Sequence, residues 1–313
     1  MHSLSMISRK PTLPKIREMP EVKSVAKAGY GKLARSLQRS LIMRRLPFVL
    51  LAAFTVSTVD ASSLFAQNAA AANKGLFTRN DAILAAGFAG LTVAMFPLDR
   101  QLARTLNNRV SKTNKFLSRS ATGVELITDP GSLVIGAALY TYGRVSHKPD
   151  IQALGWHGTE SIILAGSTTW ILKTIAGRAR PYVSKDTSPA DFVLLGGLGN
   201  ADRQSFPSGH TTTAFAAASA VTSEARIIWP GHSWLVVPAM YGGATLVGLS
   251  RMYHDKHWAS DVVLGAAIGT FTGIKVIRYT NEHPNNRPDR AIIKDRAAGV
   301  RIPVATFRIP LSF

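Results

Sequence analysis

Along the chain, apolar segments of 13 to 20 residues alternate with short breaks rich in proline, glycine and charge. The segments are 81–98, 131–143, 159–176, 209–224, 234–250 and 260–279, and each is too long for an ordinary strand. Strict apolar–polar alternation of any length is lacking in this stretch, and no repeat of 20–50 residues emerges. Pro97, Pro130, Pro181, Pro207 and Pro230 fall between or at the edges of the segments, where proline punctuates helices. The pattern therefore predicts an all-α chain: a helical bundle of about six core helices. Residues 182–206, rich in Gly, Asp and Ser, form its loosest connection, and 289–313 reads as a basic coil whose last nine residues could add one strand.

A membrane span needs about 20 mainly apolar residues. Only 82–98 and 233–250 approach that length without a charge, and both are diluted by small or hydroxylated residues. A mean hydropathy of +0.09 leaves two forms of the bundle open, membrane-associated and membrane-embedded. Upstream, Met43, Arg44 and Arg45 precede an apolar run from Leu46 to Val56, followed by small-residue sites ending at Ala61 and Ala66. This is the layout of a secretory signal, with translation starting at Met43, or of an uncleaved anchor preceded by a basic leader. Either form predicts export, with the following domain on the outer, periplasmic side of the cytoplasmic membrane. The expected organisation is a basic leader at 1–45, a signal or anchor at 46–67, a helical domain at 76–283 and a basic tail at 284–313.

Charge sharpens this division. The formal net charge is +19, with eleven Lys/Arg in 1–45 against Glu18 and Glu21, and six from Arg287 onward against Asp289 and Asp295. Basic ends of this kind read first as solvated, disordered tails, and they also suit anionic lipid head groups at a membrane surface. Aromatic-interleaved basic patches and zinc-finger spacing are lacking, so no nucleic-acid partner is expected. The absence of cysteine excludes a disulfide scaffold, a thiol enzyme and a Cys-ligated zinc site.

Three clusters carry candidate chemistry. The first runs from Lys173 to Arg180 and Pro181. The seven-residue spacing predicts two cations on one helix face, either solvated or sharing an anion. The second is Pro207, Ser208, Gly209 and His210, ahead of an Ala/Thr-rich segment. Ser208 suits a helix N-cap, Gly209 admits a ligand close to the backbone, and the free N–H groups of such an end attract anions. The third begins at Ser250 and Arg251 and ends at His257 and Asp261. The four-residue spacing predicts that Asp261 accepts the His257 Nδ1–H, which leaves Nε2 as a lone-pair nucleophile. Arg251 adds a planar fork suited to phosphate oxygens. No third ligand stands at metal-site spacing, so no metal is expected. Taken singly, each cluster also reads as a basic face, a capping turn or a structural hydrogen bond.

Together the clusters resemble the signature of the type 2 phosphatidic acid phosphatase (PAP2) superfamily, K-x6-R-P, P-S-G-H and S-R-x5-H-x3-D. All eleven specified positions are present, in order and at the right internal spacing, across 173–261. The resemblance implies the helical fold shared by these phosphatases and the vanadium haloperoxidases. It also implies a metal- and cofactor-free phosphomonoesterase. In that reading His257 attacks phosphorus to form a phosphohistidine, and Asp261 orients it. His210 protonates the leaving alkoxide and then activates water, while Lys173, Arg180, Ser208, Gly209 and Arg251 hold the non-bridging oxygens. Export, apolar helices and basic flanks favour a lipid phosphate such as phosphatidate or a prenyl phosphate. A soluble exported acid phosphatase, a vanadate-dependent haloperoxidase and a non-catalytic membrane or scaffold protein are the alternatives. Trp258 is expected to pack, His254 to sit in an exposed loop, and His157, His232 and His283 to carry no function. The oligomeric state is left unspecified.

Overall fold

The computed structural model describes residues 76–106, 115–183, 188–283 and 286–293. The leader, the signal or anchor segment and the possible terminal strand lie outside them. The first helix, α1 (Arg79–Met95), opens on a capping box in which Thr78 N–H donates to Asp81 Oδ2 at 2.7 Å. A 3-10 turn at Phe96–Leu98, set by Pro97, leads into α2 (Asp99–Leu106). Next come α3 (Lys115–Thr128), α4 (Gly131–Val145) and α5 (Pro149–Ala176). Then follow α6 (Gly209–Ile228), α7 (Ser233–Tyr253), α8 (Ala259–Glu282) and the short α9 (Arg287–Ile292). All six expected helices are present, and the described residues contain no sheet, only an isolated bridge between Arg178 and Phe192.

The departures have local causes. Helix α5 starts ten residues before the expected 159, because Pro149 and Asp150 make a favourable first turn. Gly155 does not break it, since that glycine packs against α4: a Cβ there would come 2.7 Å from the Gly136 carbonyl oxygen. Helix α3 is missing from the pattern reading because polar residues interrupt its apolar positions. Part of the expected basic coil is helical, with Asn286 capping α9 through the Asp289 N–H.

Helix α6 is the central element, packed against α5, α7 and α8. The α8 face toward it carries Gly265, Gly269 and Gly273, one per turn, opposite Thr212, Ala216 and Ala220. Without side chains the two backbones approach closely; a Cβ on Gly273 would meet the Ala216 carbonyl oxygen at 2.7 Å. This close contact brings the N-termini of α6 and α8 together, where Ser208 N–H donates to the Asp261 carbonyl at 2.9 Å.

Among the described residues, three segments, Arg79–Leu106, Pro230–Tyr253 and Ala259–Glu282, are long and apolar enough to cross a membrane. Large apolar side chains also point outward from the bundle, among them Val134, Ile135, Ile163, Leu164, Trp170 and Leu246, with Trp170 60% exposed. Such a surface is costly in water and favourable in lipid. The chain is therefore membrane-associated or integral to the membrane.

Candidate active site

Four helix ends meet at one end of the bundle: the C-termini of α5 and α7 and the N-termini of α6 and α8. Lys173 lies in the last turn of α5, His210 in the first turn of α6, Arg251 in the last turn of α7 and Asp261 in the first turn of α8. Arg180 and His257 come from the connecting segments.

Lys173 and Arg180 do not share a helix face. Gly177 adopts a left-handed conformation (φ 55°) and terminates α5, so Arg180 stands in the extended chain beyond it. There its Nε donates to the Ala201 carbonyl at 2.9 Å. Lys173 Nζ donates to the Gln204 carbonyl at 2.6 Å. Burial, reinforced by the positive charges of Arg180 and Arg251, pushes the Lys173 ammonium down to about 7. The nearby Asp261 carboxylate opposes that shift.

Ser208 occupies the N-cap position of α6, but its side chain makes no capping bond; its hydroxyl pairs with Thr211 Oγ1 at 2.8 Å. The first turn is thus left without a side-chain cap, which suits an anion. A Cβ on Gly209 would lie 3.5 Å from Lys173 Cε, so the glycine keeps the space beside the lysine stem open. His210 is pushed down to about 4 by burial and then by Arg251, and its Nε2 is 4.0 Å from Asp129 Oδ2.

His257 is almost wholly buried, at 3% exposure. Its Nδ1 lies 2.7 Å from the Ser205 carbonyl oxygen and 3.6 Å from Asp261 Oδ2. A carbonyl can only accept, so Nδ1 carries the proton and Nε2 the lone pair. The expected tautomer is present, but a backbone carbonyl, not the carboxylate, selects it. The reason is that His257 precedes α8: Asp261 turns back to cap the helix, accepting Trp258 N–H at 2.8 Å and the Ser205 hydroxyl at 2.5 Å. Burial, followed by the Lys173 charge, pushes His257 down to about 3, so the imidazole is neutral.

A second layer escaped the sequence reading. Arg178 is fully buried; Nη1 donates to Asp261 Oδ1 at 2.5 Å and Nη2 to Asp99 Oδ2 at 2.7 Å. The rings of Phe96, Phe192, Phe206 and Trp258 surround its guanidinium, with centroids 4.9–5.7 Å away. Asp99 in turn accepts from the Ser260 N–H at 2.9 Å and hydroxyl at 2.6 Å, fixing the start of α8. Arg178 stands inside the first motif, the one local signal for it; Asp99 gave none. Trp258 packs as expected, its indole N–H donating to the Ala179 carbonyl at 2.9 Å. His254 is tied to Glu125, with Nδ1 2.8 Å from Oε1.

Residues 155–284 match the PAP2 superfamily. The chain is 37% identical over 111 residues to a lipid A 1-phosphatase of Porphyromonas gingivalis, covering 31% of this chain and 24% of that protein. It is 31% identical over 162 residues to a lipid A 1-phosphatase of Rhizobium etli, covering 46% and 65% respectively. The chain thus spans a quarter to two thirds of the length of these curated relatives. The crystal structure of Aquifex aeolicus LpxE is similar at 26% identity and a TM-score of 0.43, covering 58% of this chain and 96% of that one.

Proposed function

We propose that the chain, whose residues 155–284 match the PAP2 superfamily, is a phosphomonoesterase acting on a lipid phosphate without a metal. His257 Nε2 attacks phosphorus and the bond from phosphorus to the leaving oxygen breaks. Protonated His210 donates to that oxygen, releasing the lipid alcohol. Water then attacks the phosphohistidine, giving its proton back to His210, and the phosphorus–nitrogen bond breaks to release phosphate. Phosphoryl transfer needs positioning and charge stabilisation above all. Lys173, Arg180, Arg251 and the uncapped first turn of α6 supply both.

The observation that carries this reading is the His257 imidazole. It is neutral and buried among cations, and its Nδ1–H is held by the Ser205 carbonyl. A lipid substrate is favoured by the apolar exterior and by the names of the two curated relatives. The signal-like segment at 46–67 supports export, with this end of the bundle on the outer side of the membrane.

The test is phosphate release from phosphatidate, a prenyl phosphate and lipid A in chelator-treated detergent micelles, beside a water-soluble chromogenic monoester. The expected result is chelator-resistant hydrolysis with at least one lipid preferred. Equal or better turnover of the soluble ester alone would overturn the lipid assignment.

A further inference from the structure

Glu125, in the last turn of α3, lies outside all three motifs and outside the segment that matches the superfamily. Its two carboxylate oxygens are divided between two partners on α7 and the residue that follows it. Oε2 is 2.8 Å from Arg251 Nη1, and Oε1 is 2.8 Å from His254 Nδ1. The Ser250 hydroxyl adds a long bond to Oε1 at 3.4 Å. Arg251 is buried at 7% exposure, and its Nε–H has no partner.

A buried guanidinium with one N–H pinned and another unsatisfied is an incomplete arrangement. The pinned edge fixes the direction of the plane, which matters because a guanidinium binds an oxyanion through a planar fork. We propose that Glu125 is a positioning residue for the reaction, holding Arg251 through Nη1 so that the guanidinium keeps one orientation toward the phosphate. His254 is the second tether: it occupies the other oxygen of Glu125, so the carboxylate cannot rotate away from the arginine.

The opposite role for the same contact is a plug, with the carboxylate occupying Arg251 in place of the substrate. The two roles predict opposite signs. A plug removed by Glu125→Gln would tighten anion binding, since a competing negative charge is gone. A positioning residue removed would loosen it, because a buried guanidinium without its anion swings toward water. The double tether favours positioning.

This inference rests on the phosphomonoesterase reading, so the test has one arm that needs no turnover. Binding of orthovanadate to the full chain in detergent is measured by calorimetry for wild type and Glu125→Gln. Steady-state hydrolysis of the chromogenic monoester is measured in parallel. Misaiming one anion-binding group is expected to weaken orthovanadate and raise KM about tenfold each, with kcat changed by less than about threefold. Unchanged or tighter orthovanadate binding in a folded Glu125→Gln would overturn the proposal. Should Glu125→Gln not fold, Glu125→Asp carries the test. It keeps the charge but shortens the reach, so it is expected to weaken orthovanadate as well, and wild-type affinity in that variant would count against positioning. A wild-type chain that binds orthovanadate but releases no phosphate would sink the enzymatic reading and leave the binding arm intact.

Discussion

His257 and His157 are both buried and both have carboxylates near them, yet the two ends of the bundle hold them in opposite states. Burial lowers both. At the catalytic end the next influence is the Lys173 ammonium, which lowers His257 further, to about 3. At the other end the balance is different. Burial is outweighed by hydrogen bonds and charge from Asp289 and Glu224, which raise it to about 9. Its Nδ1 lies 2.6 Å from Glu224 Oε1 and its Nε2 3.3 Å from Asp289 Oδ1, so α5, α6 and α9 are joined through one imidazolium. Nearby, Lys275 and Arg278 on α8 pair with Asp81 of α1 at 2.5 and 2.8 Å. One end keeps its charges incompletely paired around a neutral imidazole. At the far end His157 joins Glu224 to Asp289, and Lys275 and Arg278 close on Asp81, as a clasp.

The comparison breaks most visibly at His257. Replacement by Ala is expected to lower kcat by on the order of 10⁴-fold or more. Thermal unfolding should show the fold retained, and residual turnover near wild type would place the nucleophile elsewhere. The reverse is expected at His157. His157→Gln leaves two carboxylates buried without their cation, costing about 3 kcal/mol of stability, with kcat unchanged. The sign with pH sharpens it further. A histidine raised in the folded state contributes stability that is complete below its unfolded value of about 6.5 and is lost as pH rises through about 9. The wild-type melting temperature should therefore fall across that window, and the fall should be shallower in His157→Gln.

The smallest effect concerns the free enzyme against its substrate complex. His210 and Lys173 are held low, at about 4 and about 7, by burial and by neighbouring cations. A bound phosphate favours the protonated form of each, so both rise on binding. The alkaline limb of the rate profile should consequently lie at higher pH in kcat, which reports the complex, than in kcat/KM, which reports the free enzyme. Coincident limbs would show that neither group responds to the substrate.

The difference between the two ends also explains what could be read from the chain. The candidate site is written in three compact motifs, so Lys173, His210, Arg251 and His257 could be gathered without a structure. Helices were legible where apolar runs were long. They were not at α3, whose sequence is too polar, nor at α9, whose six residues carry two Arg and an Asp. Arg180 was misplaced because Gly177, a left-handed helix stop, sits within the spacing that suggested a continuous helix. The Asp261 contact was overdrawn because the competing acceptor is the Ser205 carbonyl, and a backbone oxygen leaves no mark in a side-chain pattern. Asp99 and Glu125 were invisible for another reason. Each acts on a residue 79 or more positions away, Asp99 on Arg178 and Glu125 on Arg251, and no local periodicity connects them.

The central claim is that a neutral imidazole at position 257 takes the phosphoryl group. Rapid acid-free quenching of wild type during turnover of a radiolabelled phosphomonoester tests it directly. Label bound to the protein, stable in alkali, released by mild acid and mapped to His257 is the expected result. A protein that turns over the same substrate at full rate while carrying no such label, or carrying it on another residue, would contradict the account.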